Sequence, residues 1–161
     1  MYTQEQFYKT IEIQIQTRFY KAIKNNDINN VKLLLKDKRV DPSGDNNYSI
    51  QFASKNGFFD IAKLLLNDKR IDPSKYENWA TKVASENGHI DIVKLLLKDT
   101  RVDPSDYNNV AIRFASKNGH FDIVNLLWKD QRVKISLEED CFKLYEILIK
   151  KDKIKENIED F

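Results

Sequence analysis

Apolar residues along this chain fall into blocks with helical spacing, and polar residues separate the blocks. The block from Ile92 to Leu97 gives a broad apolar face, which predicts a helix that its neighbours cover on more than one side. A shorter helix is predicted just before it, from about Trp79 to Glu86. Asn87-Gly88 separates the two, because glycine takes the left-handed conformation past a helix end at little cost. This stretch therefore predicts two short helices joined by a tight break.

The same pair of predicted helices recurs along the chain at a fixed distance. Residues 72–102 read DPSKYENWATKVASENGHIDIVKLLLKDTRV and residues 103–133 read DPSDYNNVAIRFASKNGHFDIVNLLWKDQRV, which agree at 20 of 31 positions without a gap. An earlier copy spans residues 41–71. Self-similarity at such a period is typical of solenoids, in which stacked units build an extended surface rather than a pocket.

Turn and capping residues mark the boundaries of each unit. Asp72-Pro73-Ser74 has turn chemistry, since proline presets φ and the Asp and Ser side chains bond nearby backbone groups. The asparagine that follows is expected to cap the first helix by accepting from a free N–H group. An acidic residue in the first turn of the second helix favours that N-terminus. The copies share Asn47, Asn78 and Asn109 as expected caps, Gly57, Gly88 and Gly119 as breaks, and Asp60, Asp91 and Asp122 in the first turn.

The repeated core resembles the ankyrin repeat. It reads ASENGHIDIVKLLL from Ala84 to Leu97 and ASKNGHFDIVNLL from Ala115 to Leu127, while the earlier copy has Phe58 in place of the histidine. The Asn-Gly-His break followed by Ile-Val-x-Leu-Leu is a specific signal for that family. The resemblance implies an all-α fold, an ankyrin-repeat solenoid of stacked helix-turn-helix units. The Asp-Pro-Ser form is similar to a variant found in amoebae and in the large DNA viruses that infect them.

Two departures from the family pattern concern the start of each unit. The family's Thr-Pro-Leu-His opening is replaced by YSIQ, WATK and VAIR, which begin at Tyr48, Trp79 and Val110. The unit is also about two residues shorter than the usual ankyrin repeat. The β-turn fingers are therefore expected to be short or rudimentary.

A single solenoid is predicted over residues 1–161, with degenerate units at both ends. Residues 1–40 are expected to hold an N-terminal helix and a capping repeat, in which Asn26 replaces the glycine and Asp27 the histidine. Residues 134–161 are expected to form C-terminal capping helices, including one from Leu137 to Lys150. Terminal units of a solenoid need a polar outer face, which accounts for their divergence. The full repeats between them are residues 41–71, 72–102 and 103–133.

Composition and charge narrow the class of protein. The chain has 27 Lys and Arg against 25 Asp and Glu, and this net charge of +2 gives no strong attraction to nucleic acid or to an anionic membrane. The single cysteine, Cys141, excludes an internal disulfide framework and suits a reducing compartment. The sequence has no continuous apolar run long enough for a signal peptide or a membrane span. We expect a monomeric, intracellular and cytoplasmic protein.

The sequence shows no catalytic constellation. His89 and His120 occupy equivalent positions, and the resemblance implies that this histidine fixes the turn by hydrogen bonding. Cys141 lies on a predicted apolar stripe, where a core role is favoured because a reactive thiolate needs an exposed, electropositive setting. Glycine-rich phosphate loops, zinc-ligand spacing and Ser-centred elbows are missing. The sequence predicts no enzymatic activity, no cofactor and no metal.

Arginines recur with the period of the repeat. Such a ladder could bind anions, or each arginine could make a salt bridge or a carbonyl contact within its own linker. We favour the local contact, because an aspartate accompanies every arginine. The pairs are Asp37 and Arg39, Asp68 and Arg70, Asp99 and Arg101, and Asp130 and Arg132.

Residues that differ among the copies at the turn and on the first helix are free to carry recognition. The resemblance implies that these two parts line the groove that holds a partner protein, and Tyr, Trp and Arg are the types enriched at interface hot spots. Tyr48 and Trp79 have an alternative role, packing against neighbouring first helices, and for Trp79 the two roles are evenly balanced. The predicted partner-binding residues are Tyr48, Gln51, Tyr76, Trp79, Lys82, Glu86, Tyr107, Val110, Arg113 and Lys117.

Three functions are consistent with these features. The favoured one is a non-catalytic protein-binding module, a viral or pathogen factor that engages a host protein. A second is the adaptor portion of a larger protein that recruits a target to an effector domain. The third, weak nucleic-acid binding through the arginine ladder, is disfavoured; it would also use Lys150, Lys151, Lys153 and Lys155. No motif in the sequence identifies the partner, and the fold alone does not specify function.

Overall fold

The computed structural model of the protein describes residues 3–136, with side chains described up to residue 134. Over this range the chain consists of α-helices joined by turns, without a β-strand. The predicted all-α fold is confirmed, and turns alone stand where fingers would be. The helices are α1 (Gln4–Lys24), α2 (Ile28–Leu34), α3 (Gly44–Lys55), α4 (Phe59–Leu66), α5 (Lys75–Glu86), α6 (Ile90–Leu96), α7 (Asp106–Lys117), α8 (Phe121–Trp128) and α9 (Gln131–Ser136).

The helices form two layers that run along the described chain. The first helices α1, α3, α5 and α7 contact one another in order, and the second helices α2, α4, α6 and α8 do the same. Each first helix also contacts the second helix that follows it, so the apolar faces meet between the layers. This arrangement is the predicted solenoid. Its largest fully buried side chains in the central units are Ile50, Ile61, Leu65, Ile71, Ile92, Leu96, Ile123 and Leu127.

The N-terminal helix and the first helix of the capping unit are one continuous element, α1. Thr3 caps it through a reciprocal contact with Gln6, in which each side chain accepts from the other residue's backbone N–H. The C-terminal half of α1 packs on the core through buried residues such as Phe19 and Ile23, and Ile11 also contacts the core, whereas Phe7 near the start of the helix is exposed. The helix therefore extends beyond the layer that its last turns belong to.

Glycine ends the first helix of each full unit, as predicted. Gly57 and Gly88 have φ values of +73° and +77°, in the left-handed region that side chains disfavour. In the N-terminal unit Asn26 takes the same conformation with φ +53°, and Asp27 caps α2 by accepting from the Asn30 N–H at 3.0 Å. Asparagine is the non-glycine residue that best tolerates this conformation, which explains the substitution.

Each of α3, α5 and α7 opens with a left-handed turn, which the sequence did not predict. Three consecutive residues have positive φ, for example 55°, 56° and 55° at Tyr76, Glu77 and Asn78, before the right-handed helix begins. Each non-glycine residue in this region costs roughly 1–2 kcal/mol. Six of the nine residues involved are Asn or Asp, the types that tolerate it best, and the third is always Asn. The turns are residues 45–47, 76–78 and 107–109.

The last asparagine of this turn connects neighbouring units instead of capping its own helix. The Asn78 Oδ1 accepts from the Asp103 N–H at 3.1 Å, and its Nδ2 donates to Asp106 Oδ2 at 2.7 Å. Gln16 of α1 makes the equivalent connection at the N-terminal end of the stack, because its side-chain amide accepts from the Asp41 N–H and donates to the Asp41 carbonyl oxygen. The predicted capping role is wrong for Asn78, because its side chain points to the next unit. It is also wrong for Asn47, whose buried Oδ1 accepts no hydrogen bond.

Candidate partner-binding surface

A slot opens between the first helices α3 and α5. Its volume is about 370 Å³, and aromatic, aliphatic and polar side chains line it. Tyr48, Gln51 and Trp79 meet there, so the fold brings three of the predicted partner-binding residues together. The complete lining is Tyr48, Gln51, Phe52, Lys55, Asn56, Trp79 and Val83.

A chain of aromatic rings fixes one wall of the slot. The Tyr48 ring packs edge-on against Tyr20 of α1, with ring centroids 5.3 Å apart, and lies 5.5 Å from Phe52. Phe52 in turn lies 6.2 Å from Phe58. Such edge and tilted contacts are the favoured geometry for aromatic pairs. Tyr48 therefore packs against the neighbouring first helix, which was the alternative role weighed for it, while it also lines the slot.

Trp79 forms the opposite wall and is 41% exposed. The Lys82 ammonium lies 3.6 Å from the centroid of its ring and 4.8 Å from that of Phe114. The same ammonium is 3.8 Å from the Glu86 carboxylate, and only 12% of the Lys82 side chain is exposed. Trp79 thus combines packing and exposure. Lys82 and Glu86 hold its ring in place rather than standing free for a partner.

Two predicted cations stand free at the far end of this surface. Arg113 and Lys117 on α7 are exposed, and neither makes an ion pair with another residue in the described part of the chain. On the near side Lys55 is exposed in the slot, and the Lys24 ammonium lies 5.5 Å from the centroid of the Tyr48 ring. The surface is therefore aromatic in the middle and cationic at its edges.

Val110 does not belong to the accessible surface. It occupies the position of Tyr48 and Trp79 in the third copy, but it is only 8% exposed. Its short β-branched side chain ends within the packed helices, whereas the tyrosine and tryptophan rings extend beyond them. The prediction that Val110 contacts a partner is corrected on this ground.

The turn residues Tyr76 and Tyr107 lie apart from the slot. They are 50% and 61% exposed, and both adopt positive φ in the left-handed turns. Tyr76 borders a separate hollow of about 640 Å³, together with Asp45, Arg70 and Lys75 among others. Of the predicted residues, Tyr76 therefore lines a more polar hollow at the turns instead of the first-helix slot.

The arginine ladder is a set of local contacts, as favoured from the sequence. Each arginine binds the aspartate two residues before it, with the closest nitrogen and oxygen 2.6–2.7 Å apart. Arg70 also reaches back to the preceding unit and donates to the carbonyl oxygens of Val40 and Leu35 at 2.6 and 3.1 Å. Arg132 donates likewise to the Val102 oxygen at 3.1 Å. Arg70 and Arg132 therefore hold neighbouring units together, and all four guanidinium groups are engaged by aspartates rather than left as an open stripe for phosphate.

The aspartates of these pairs are stabilised in their charged form. The hydrogen bond from the Arg39 side chain lowers the pKa of Asp37 to about 2. The equivalent arginine contact lowers the pKa of each corresponding aspartate in the later units, Asp68, Asp99 and Asp130. The paired charges persist through the neutral and mildly acidic range.

Both histidines act between units. The Nε2 of His89 lies 3.0 Å from the Lys55 carbonyl oxygen, and that of His120 lies 3.1 Å from the Glu86 carbonyl oxygen. Each ring thus binds the C-terminal end of the first helix one unit earlier, where carbonyl groups lack intrahelical partners. The predicted role in hydrogen bonding is confirmed, and the partner is the preceding unit. No cluster of three potential metal-ligating side chains occurs among the described residues.

Several contributors to the surface were not among the predicted residues. Phe52 and Val83 line the slot, Phe114 lies beside the Lys82 ammonium, and Lys24 lies beside Tyr48. Phe52, Val83 and Phe114 occupy equivalent positions whose residue type differs among the copies, so the same comparison of repeats could have indicated them. Lys24 belongs to the degenerate N-terminal unit, where only its alignment with Lys55 and Lys117 gives a signal.

Some sequence predictions fall on residues 137–161, outside the described residues. They are the helix from Leu137 to Lys150, the role of Cys141, and the lysines at 150, 151, 153 and 155. Within the described part, none of the helices is both long enough and apolar enough to cross a membrane.

The stacked helix pairs and their open first-helix surface define a helical repeat protein. The model of the family described as ankyrin repeats, in three copies, matches residues 52–139, which is more than half of the chain. The chain belongs to the ankyrin-repeat family. No curated protein sequence matches it.

Proposed function

We propose that this protein is a non-catalytic binding module that holds a partner protein on its first-helix surface. Ankyrin repeats are in general protein–protein interaction modules. The observation that carries the proposal for this chain is the slot between α3 and α5, where Tyr48, Trp79 and Lys55 are all accessible. Partly exposed Tyr and Trp side chains are the types enriched at the centres of protein interfaces.

The rigidity of the slot supports a recognition role. Tyr48 is held by Tyr20 and Phe52, and Trp79 is held by Lys82, so neither ring needs to be ordered when a partner binds. Ordering a free side chain costs about 0.5–1.5 kcal/mol on association. A preformed aromatic slot avoids that cost and can discriminate among partners by shape.

The other polar features of the fold are already used internally. His89 and His120 bind backbone carbonyl groups, and the arginines of the ladder bind aspartates and carbonyls. These contacts stabilise the fold, and that role alone accounts for the recurrence of these residues in successive units. The varying residues of the first helices are then the ones left for recognition.

The proposal is tested by affinity capture with the full chain as bait, followed by identification of the bound proteins. Trp79→Ala and Lys55→Glu alter the slot, while Lys63→Glu makes the same charge change at an exposed position of α4. We expect a specific partner to be retained by the wild type and by Lys63→Glu and lost with both slot variants. Circular dichroism checks that each variant is folded.

A partner that binds all three variants equally would place the interface elsewhere and overturn the proposal. The adaptor role predicted from the sequence uses the same surface, so it makes the same prediction for these variants. That the partner is a host protein of a virus or pathogen stays a prediction from the sequence.

A further inference from the structure

The last two turns of the first helices carry more positive charge than the second helices do. The first-helix segments 17–24, 48–55, 79–86 and 110–117 contain seven Lys or Arg residues and a single carboxylate, Glu86. The second helices α2, α4, α6 and α8 contain three cations and three anions. The seven cations of these segments are Arg18, Lys21, Lys24, Lys55, Lys82, Arg113 and Lys117. Positive charge is therefore concentrated on the last two turns of the first helices, whereas the earlier residues of these helices carry the acidic Glu5, Glu12, Asp45, Glu77 and Asp106.

Helix dipoles explain part of this bias. Lys24, Lys55 and Lys117 lie in the last turn of their helices, where a cation is favoured by the partial negative charge of the C-terminus. The dipole does not explain Arg113, one turn earlier in α7, or the acidic Glu86 in the equivalent last-turn position of α5. The helix dipole therefore accounts for only part of the positive charge on these segments.

Two of these cations lie at the edges of the slot between α3 and α5. Lys24 lies over the Tyr48 wall, and Lys55 lines the slot beside Trp79. Of the nearby carboxylates, Glu86 is already engaged by Lys82, and Asp45 interacts with the Tyr20 hydroxyl. A cleft with aromatic walls is thus bordered by two ammonium groups that have no anionic partner among the described residues.

We propose that the occupant of this surface is an acidic peptide segment of the partner protein that carries one apolar anchor side chain. The anchor enters the slot between Tyr48 and Trp79, and carboxylates on either side of it meet Lys24 and Lys55. This inference rests on the proposed function and adds the chemistry of the partner. Complementary charge of this kind raises the association rate and selects against basic partners.

The aromatic rings favour a peptide over a single-stranded nucleic acid. Proteins that hold single strands use open ring faces on which bases stack, together with a cationic groove. Here the Trp79 face is covered by the Lys82 ammonium at 3.6 Å, and Tyr48 is flanked by Tyr20 and Lys24. The slot is shaped for an inserted side chain rather than for a stacked base.

The test is a selection of random twelve-residue peptides displayed on phage against the full folded chain, at about physiological salt. We expect the selected peptides to be rich in Asp and Glu and to share one Leu, Phe or Trp position. A synthetic peptide of the selected sequence should shift the indole N–H resonance of Trp79, which is one of two tryptophans in the chain. Changing its shared apolar residue to Ser should weaken binding at least about tenfold.

Matched variants distinguish this inference from the proposed function. Lys55→Glu should weaken the selected peptide at least about tenfold, whereas Lys63→Glu on α4 should not. If the selected peptides are neutral or basic and Trp79→Ala abolishes their binding, the inference of an acidic partner is wrong, whereas the proposed binding module stands. Peptides that bind independently of Trp79 would contradict both. A single-stranded oligonucleotide that shifts the Trp79 resonance at lower concentration than the peptide would also overturn the inference.

Discussion

The imidazole of His89 lies against Gly57, one unit earlier, and fills the space that a side chain at position 57 would need. A Cβ added to Gly57 would lie 2.8 Å from His89 Cε1, closer than real Cβ contacts allow. His120 stands in the same relation to Gly88, at 2.7 Å. In the N-terminal unit Asn26 replaces the glycine, and the following unit has Phe58 in place of the histidine. The histidine therefore depends on a glycine in the unit before it.

Alanine at Gly88 is expected to destabilise the protein more than alanine at Gly119. Both residues have φ +77°, so each substitution should lose roughly 1–2 kcal/mol to left-handed strain. Only at Gly88 does the new Cβ also meet a histidine ring, since no described atom lies within 4 Å of a Cβ at Gly119. Urea unfolding of the two variants measures the difference. Equal losses, or a Gly88→Ala cost that His120→Ala leaves unchanged, would contradict this packing.

Asn78→Ala is expected to reduce stability by about 1–3 kcal/mol beyond the cost of the left-handed backbone. The substitution removes the acceptor for the Asp103 N–H and the donor to Asp106, and these groups are partly buried between two units. Asn46→Ala is the matched control, because Asn46 has φ +65° and an exposed side chain. Chemical denaturation should show a clearly larger loss for Asn78→Ala. Similar losses would mean that only backbone conformation matters at both positions.

Arg70→Ala is expected to cost more stability than Arg39→Ala. Arg39 contacts only Asp37 in its own linker, whereas Arg70 also donates to the Val40 and Leu35 carbonyl oxygens of the preceding unit. A hydrogen bond from a charged donor contributes about 1.5–3 kcal/mol. Thermal unfolding of both variants compares the two sites. Arg70→Lys should lose most of the same stability, because an ammonium cannot replace the planar fork.

Acid is expected to destabilise the fold as the aspartates of the arginine pairs become protonated. Their pKa values are lower in the folded chain, so the stabilisation is complete above the ordinary value of 3.8 and is lost as pH falls through the folded value, about 2 for Asp37. The melting temperature should be nearly constant above about pH 5 and fall steeply below about pH 4.

Asp68→Asn tests which carboxylates cause that fall. It should lower the melting temperature at neutral pH and flatten its acid dependence, because the Arg70 contact no longer titrates. An unchanged slope in Asp68→Asn would show that the arginine pairs do not govern acid unfolding.

Local signals were sufficient to predict most of the fold. Gly57 and Gly88 fixed the breaks, and the apolar spacing from Ile92 to Leu97 gave the second helix. The left-handed turns could not be predicted in this way, because Tyr76 and Glu77 disfavour positive φ. At Asn78 this conformation occurs together with a contact to the next unit, which is visible only in three dimensions.

The candidate site was predicted less completely, for reasons of side-chain size and direction. Variation among the copies indicated Tyr48 and Trp79, and both line the slot. The same variation selected Val110, whose short side chain is buried. Variation among the copies could not show that the Lys82 ammonium lies against the Trp79 ring. That contact depends on the side-chain conformation of Lys82 and on Phe114 of α7, the next first helix.

A footprint of the bound complex tests the proposed surface most directly. The full chain, alone and with its captured partner, is labelled by hydroxyl radicals, and the modified side chains are quantified by mass spectrometry. Binding at the slot predicts strong protection of Tyr48 and Trp79 on the first helices and little change at Leu33 and Phe59, which are exposed on the second helices. Protection of Leu33 and Phe59 with Trp79 left accessible would contradict binding through the first-helix surface.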